Sequence, residues 1–278
     1  MNRYQYIDKS REHLHTLDGK PRLGTSTICG IIGKDGALAW WAAELAAVEA
    51  LSSGEHYPTL RDEFKTVKAV SDYKARKAAM DALQKKYPAF KDARFAHYSA
   101  KNDAADKGTD MHAELERYVQ MCLNEYKGTP MPISENDWTA EVVIFSNWAV
   151  EHVERFLLSE AHCYSEKLWV GGITDCVARI KNGMIAVIDF KSSKDAYYGQ
   201  FVQAAGYALQ LEENGAVTED GAPVITAMSP VDRVTALFIV PFGSSDPTPR
   251  EQFDVVGFKL DFEAATRLYK SSQLFEQK

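Results

Sequence analysis

Asp175, Asp189 and Lys191 are the residues whose types and spacing most readily do chemistry, within Gly171-Gly-Ile-Thr-Asp175 and Ile188-Asp-Phe-Lys-Ser-Ser193. Along a strand alternate residues share a face, so Asp189 and Lys191 point the same way while Phe190 is directed into the core. Between the two stretches lies Lys181-Asn182-Gly183, and Asn-Gly is a strong hairpin signal. A hairpin there sets the strand carrying Asp175 beside the one carrying Asp189. Two carboxylates and an ammonium then converge at one end of a sheet. Hard divalent ions seek such carboxylate oxygens. A metal so held activates water and offsets charge on a phosphoryl oxygen, and a neighbouring lysine assists either task. An Asp-x-Lys at a strand end is by itself an ordinary solvated pair. The second aspartate, 14 residues upstream across a hairpin, gives it weight.

Two further features bear on the same place. In the helix expected after Asp189, Gln200, Gln203, Tyr207 and Gln210 share one face, with Phe201, Ala204, Ala205 and Ala208 beside them for packing. Gln200 and Gln210 read as a solvated polar face. Gln203 and Tyr207 sit one turn apart on the helix that packs back beside the Asp189 strand. Upstream, His112 borders the apolar stripe of Met111, Leu115, Tyr118, Val119 and Cys122. A lone histidine there is ordinarily structural, so His112 matters only in company.

The elements that must position these residues follow from periodicity. The first half reads as helical, over 37–51, 62–86, 104–124 and 137–158, with Pro88 closing the second helix and Asp137 near the start of the fourth. Gly24-Thr-Ser-Thr-Ile forms a small-residue turn into a short helical segment. After Glu160 the pattern changes to strands over 161–170, 172–180 and 184–190, a helix over 196–213, strands over 233–240 and 253–260, and a helix over 262–274. This is an α/β core (108–278) with a helical N-terminal elaboration (1–107), read as a single domain.

Composition sets the outer bounds. With 278 residues, 45% hydrophobic and 26% charged, the chain is of ordinary globular type, neither disordered nor fibrous. A net charge of -7 excludes a polycation that coats nucleic acid through its overall charge, though not a local basic groove. Residues 1–20 are polar and mixed in charge, so no export signal is expected, and no apolar run is long enough for a membrane helix. Cys29, Cys122, Cys163 and Cys176 form no C-x-x-C pair and read as reduced, buried thiols of a cytoplasmic protein.

Taken in order, His112, Gly172-Ile-Thr-Asp175, Asp189-Phe-Lys191 and Gln203-x-x-x-Tyr207 resemble the PD-(D/E)XK nuclease superfamily, in particular its RecB/λ-exonuclease-like branch of phage-type nucleases. Gly24-Thr-Ser-Thr-Ile and Leu38-Ala-Trp-Trp are more loosely similar to the openings of phage members. The motif-bearing part covers about residues 108–214. The resemblance implies a restriction-endonuclease-like core, a central mixed sheet flanked by helices. It also implies a Mg²⁺- or Mn²⁺-dependent deoxyribonuclease, an exonuclease of DNA recombination or repair acting in a bacterial host cytoplasm. Asp175, Asp189, His112 and the backbone carbonyl of Phe190 would hold one or two ions. Lys191 would position or help deprotonate the attacking water, and Glu160 would serve as a weaker or second-ion ligand. Gln203, Tyr207 and Ser192 would contact DNA. A single-strand annealing or other recombination protein is the partner such a nuclease would have. The sequence departs from the family name in placing Ile173-Thr174 before Asp175. No cysteine follows Cys176, so no iron–sulfur cluster is expected, and no Walker motif is present.

One segment runs against the overall charge. Positions 61–94 hold 10 basic residues against 5 acids, a net +5 that leaves the remainder at -12. Lys74, Arg76 and Lys77 with Tyr73, Phe90, Phe95 and Tyr98 nearby suggest one wall of a DNA groove. A noncatalytic DNA-binding protein on the same fold and a restriction-type endonuclease are the alternatives. Intact Asp175, Asp189 and Lys191 weigh against the first, and the lack of a separate recognition domain against the second. Oligomeric state is left open.

Overall fold

The computed structural model describes residues 3–9, 12–32, 46–48, 50–52, 57, 59–225 and 233–276. The protein is α/β, and it divides into two compact units, Met1–Ile32 with Lys107–Lys278, and Gly33–Asp106. Most of the helix expected over 37–51, with Leu38-Ala-Trp-Trp, lies outside the described residues. Among the described residues no helix is long and apolar enough to cross a membrane.

The first unit is built on a mixed, curled sheet. Strands β1 (Tyr4–Lys9), β2 (Glu12–Leu17) and β3 (Lys20–Gly24) open it, followed by a short helix α1 (Thr25–Cys29). These strands correct the expectation of a helical N-terminus. Their signal is Asp18-Gly19, whose φ values of 51 and 71 make the reversal between β2 and β3. The long β4 (Val153–Ser165), β5 (Val170–Ile180) and β6 (Ile185–Lys191) follow as an antiparallel meander. The Asn182-Gly183 turn is formed: Gly183 has φ 89, and Asn182 Oδ1 accepts the Met184 amide at 3.1 Å. Short β7 (Ala216–Val217) and β8 (Pro223–Ile225) extend the β4 edge. On the other side β9 (Val234–Pro241) runs parallel to β6, and β10 (Arg250–Gln252) antiparallel to β9. β3 also pairs in parallel with the start of β5.

Helices cover both faces. The C-terminal part of α4 (Pro88–Tyr126) and α5 (Ala140–His152) supply Leu115, Tyr118, Val119, Phe145 and Ala149 to one core, with Cys176, Ile188 and Phe190 from the sheet. The second core joins α6 (Tyr198–Asn214) to Val177, Val187, Leu237 and Ile239. Burying each such large apolar side chain stabilises the fold by roughly 1.5–3 kcal/mol. The last helix, α7 (Val255–Glu276), crosses α6 where Gly206 leaves room, since a Cβ there would sit 2.7 Å from the Phe262 ring. In the stretch 253–260, expected as a strand, this helix instead begins at Val255. Asp254 decides the matter, its Oδ1 accepting the Gly257 amide at 3.0 Å as an N-terminal cap.

In the second unit the helix expected over 62–86 is two, α2 (Leu60–Lys68) and α3 (Tyr73–Lys86). Asp72 makes the break by capping α3, accepting the Ala75 amide at 2.8 Å. Phe90, expected as aromatic surface, is fully buried with Leu60, Phe64, Met80 and Tyr87. Lys74 and Lys77 are exposed and Arg76 is half-buried, all three on α3.

Candidate metal centre

The site forms where the sheet departs from strict alternation. Leu158 and Ala161 both enter the α6-side core although they are three residues apart. On β5, Gly172 lies against the Tyr207 ring of α6, while Val177, five residues on, enters the same core. Both strands therefore slip by one side chain at the same level. The ladder runs on through the slip, with Ser159 opposite Cys176 and Ala161 opposite Thr174, which sets Glu160 opposite Asp175. Glu160 takes up the slip with φ 46, a left-handed conformation that costs about 1–3 kcal/mol in a residue with a side chain. Its carboxylate and that of Asp175 both reach the α4 side, where His112 waits.

His112 Nε2 lies 3.2 Å from Glu160 Oε1 and 3.3 Å from Asp175 Oδ1. Ligand atoms of these three residues all fall within 4.8 Å of one another. The imidazole ring packs edge-on against Phe190, centroids 5.7 Å apart, which fixes its orientation from below. Continuing the β5–β6 ladder from Cys176 opposite Ile188 sets Asp175 opposite Asp189. At that point Asp175 Oδ2 accepts the Phe190 amide at 2.6 Å, so a side chain takes over from the ladder. Asp189 is 1% exposed, its Oδ2 in an ion pair with Lys191 Nζ and its Oδ1 without a hydrogen-bond partner.

The electrostatics follow from this crowding. Burial pushes Asp189 up to about 7, with the Asp175 charge adding to the shift and Lys191 opposing it. Burial likewise raises Glu160. Burial alone would raise Asp175 and depress His112. The His112 contact, together with the Lys191 charge and the Phe190 amide, holds Asp175 low, and the two acids hold His112 at about 10. Burial opposes the charge of Lys191, but Asp189 and Asp175 outweigh it and raise the ammonium.

Imidazole and carboxylate donors suit Mn²⁺ and, through the carboxylates, Mg²⁺. The unsatisfied, buried Asp189 Oδ1 beside them is what a cation would relieve, so the donor set fits a divalent ion. The compact triad consists of His112, Glu160 and Asp175, while Asp189, expected as a ligand, falls outside it and with Lys191 lies within electrostatic reach.

Other expected site residues are placed as follows. Gln203 donates to the Tyr207 hydroxyl at 2.7 Å, and Tyr207 is buried within electrostatic reach of Asp189 and Asp175. Ser192 is exposed just past β6, where its carbonyl closely approaches Gly243. Gln200 caps α6 by accepting the Tyr197 amide at 2.8 Å. Gln210, expected in solvent, is 0% exposed and donates to Thr25 Oγ1 at 2.7 Å. Cys29 of α1 is a neighbour that sequence reasoning missed. Burial, with the Asp189 charge, pushes its thiol up to about 12.

No protein-family model and no curated protein sequence matches the chain.

Proposed function

We propose that this chain is a metal-dependent DNA nuclease with a restriction-endonuclease-like core of the PD-(D/E)XK type, an exonuclease of DNA recombination or repair. The observation that carries this reading is the meeting of His112, Glu160 and Asp175 from three elements, with the Asp189–Lys191 pair beside them. His112, Glu160, Asp175 and Asp189 would hold Mg²⁺ or Mn²⁺, with the Phe190 carbonyl as a further donor. Such an ion, when bound, polarises a phosphoryl oxygen and lowers the pKa of water.

The chain's own groups do the rest. Lys191, kept charged by its acids, orients the attacking water and stabilises the charge that grows on the phosphate. Asp189, with one oxygen free of hydrogen bonds, is the acceptor nearest that lysine. Gln203 and Tyr207 brace the site from the α6 side, and Ser192 offers a hydroxyl to the DNA backbone. Lys74, Arg76 and Lys77 add phosphate contacts.

The test is digestion of end-labelled linear and closed circular duplex DNA with Mg²⁺ or Mn²⁺, beside Lys191→Ala and Asp189→Ala. Metal-dependent degradation of the linear form, lost in both variants, is expected. Cutting of the closed circle would overturn the exonuclease assignment. Binding of DNA without any cleavage would favour a noncatalytic DNA-binding protein.

A further inference from the structure

Strand β5 is supported unevenly. On the edge away from β4 it pairs with β3 at Val170 and Gly171, and with β6 only from Cys176 onward. The intervening stretch, which ends in Asp175, has no backbone ladder on that edge among the described residues. The β4 ladder sets its register against Glu160, so it is the open edge, towards β6, that side chains must steady.

A buried polar chain reaches this stretch from α6. Gln210 Nε2 donates to Thr25 Oγ1 at 2.7 Å and to the Gly206 carbonyl at 2.9 Å, and Gln210 Oε1 accepts a weak bond from Cys163 Sγ at 3.8 Å. Thr25 Oγ1 in turn donates to the Gly171 carbonyl at 3.0 Å. Gln210 is 0% exposed and Thr25 1%. The threonine hydroxyl has one proton, and because the glutamine amide supplies the other bond, that proton is free for Gly171. The next residue leaves no slack, since a Cβ on Gly172 would lie 2.7 Å from Thr25 Oγ1 and 2.5 Å from the Tyr207 ring. Thr25 thus ties down the strand four residues before Asp175 through the Gly171 bond, at a point where no side chain could be fitted between them. An apolar pair of similar volume would fill the space without exposing buried donors to loss of their partners. The polar chain thus anchors the open edge of β5 rather than adding bulk.

We infer that Gln210 and Thr25 are positioning residues that steady the open edge of the Gly171–Asp175 segment and so hold Asp175 where the metal ligands require it. This rests on the metal site proposed above. Nothing in the α6 face pattern distinguishes Gln210 from a solvated residue, which is why its role emerges only from the packing.

The experiment measures Mn²⁺ binding to the full chain by electron paramagnetic resonance, with DNA cleavage kinetics alongside. It compares wild type with Thr25→Val, Gln210→Met and Thr25→Ser, each checked for folding by circular dichroism. Thr25→Val and Gln210→Met should weaken Mn²⁺ binding about tenfold or more and lower kcat, while KM for DNA is unchanged. Thr25→Ser, which keeps the hydroxyl, should retain wild-type values. Folded Thr25→Val and Gln210→Met proteins that bind Mn²⁺ as wild type does would overturn the inference. The two substitutions lie on different elements, so loss of folding in one leaves the other as the test. Wild-type protein that binds Mn²⁺ without cutting DNA would refute the nuclease reading alone, with the positioning role still decided by the Mn²⁺ affinities. Wild-type protein that binds no Mn²⁺ would overturn both.

Discussion

The acid centre and the basic helices α2 and α3 use charge in opposite ways. At His112, Glu160, Asp175, Asp189 and Lys191, ionisable groups are wholly or partly withdrawn from water and perturb one another, so Asp189 rises to about 7 and His112 to about 10. On α3, Lys74 and Lys77 stand in solvent, where salt screens them and each contributes independently. Buried groups act as a unit that one substitution disables, whereas exposed ones form a sum that one substitution only reduces.

The buried centre should give the largest effects. Lys191→Ala and Asp189→Ala should each lower metal-dependent cleavage by at least about 10²–10³-fold with DNA binding retained, read by single-turnover kinetics. A loss below tenfold would place the chemistry elsewhere. Next, His112→Ala and Glu160→Ala should weaken Mn²⁺ binding at least about tenfold in a direct titration. Equal affinities in wild type and variants would detach the triad from the metal.

The basic side should behave additively. Reversing Lys74, Arg76 and Lys77 to Glu should weaken DNA binding and flatten the slope of log K against log salt by roughly 2–3, leaving Mn²⁺ affinity untouched. An unchanged slope would remove α3 from the DNA interface.

Two smaller effects sharpen the buried side. In metal-free protein the folded His112 pKa of about 10 exceeds its ordinary 6.5. Its contribution to stability is fully present below pH 6.5 and is lost as pH rises through 10. Metal must displace that proton, so Mn²⁺ affinity should rise with pH across the same window, by about tenfold per unit between pH 8 and 9, where Asp189 has already lost its proton. A flat profile from pH 8 to 9 would contradict the direct role of His112. Asp189, raised from 3.8 to about 7, binds its proton more tightly folded than unfolded, so it costs stability as pH climbs through that range. Asp189→Asn should then raise the melting temperature of metal-free protein at pH 8 by about 2 °C or more while abolishing cleavage. A lower melting temperature would show that the Lys191 ion pair outweighs the burial.

Local signals made part of this legible in advance. Asn182-Gly183 announced the hairpin that joins β5 and β6, and strand alternation placed Phe190 in the core. The helix-face spacing put Gln203 and Tyr207 together. What stayed hidden depends on through-space context. The φ of 46 at Glu160 leaves no mark on residue type, because glutamate is not a residue chosen for that conformation. Gln210 and Gln200 look alike on the helix face, yet one is buried by α1 and the other caps a helix end. Asp18-Gly19 was a readable turn in a stretch whose polar composition masked its strands. Asp254 shows the reverse failure, where one capping carboxylate outweighs the strand-like pattern of residues 253–260.

The most direct test of the account is release of label from end-labelled linear duplex DNA by wild type and Asp175→Asn, each with Mn²⁺ and with chelator. Asp175 touches His112 and the Phe190 amide at once, so it joins both halves of the centre. The account predicts release by wild type with Mn²⁺ alone, and none under the other three conditions. Release that persists in chelator, or in Asp175→Asn at the wild-type rate, would contradict it.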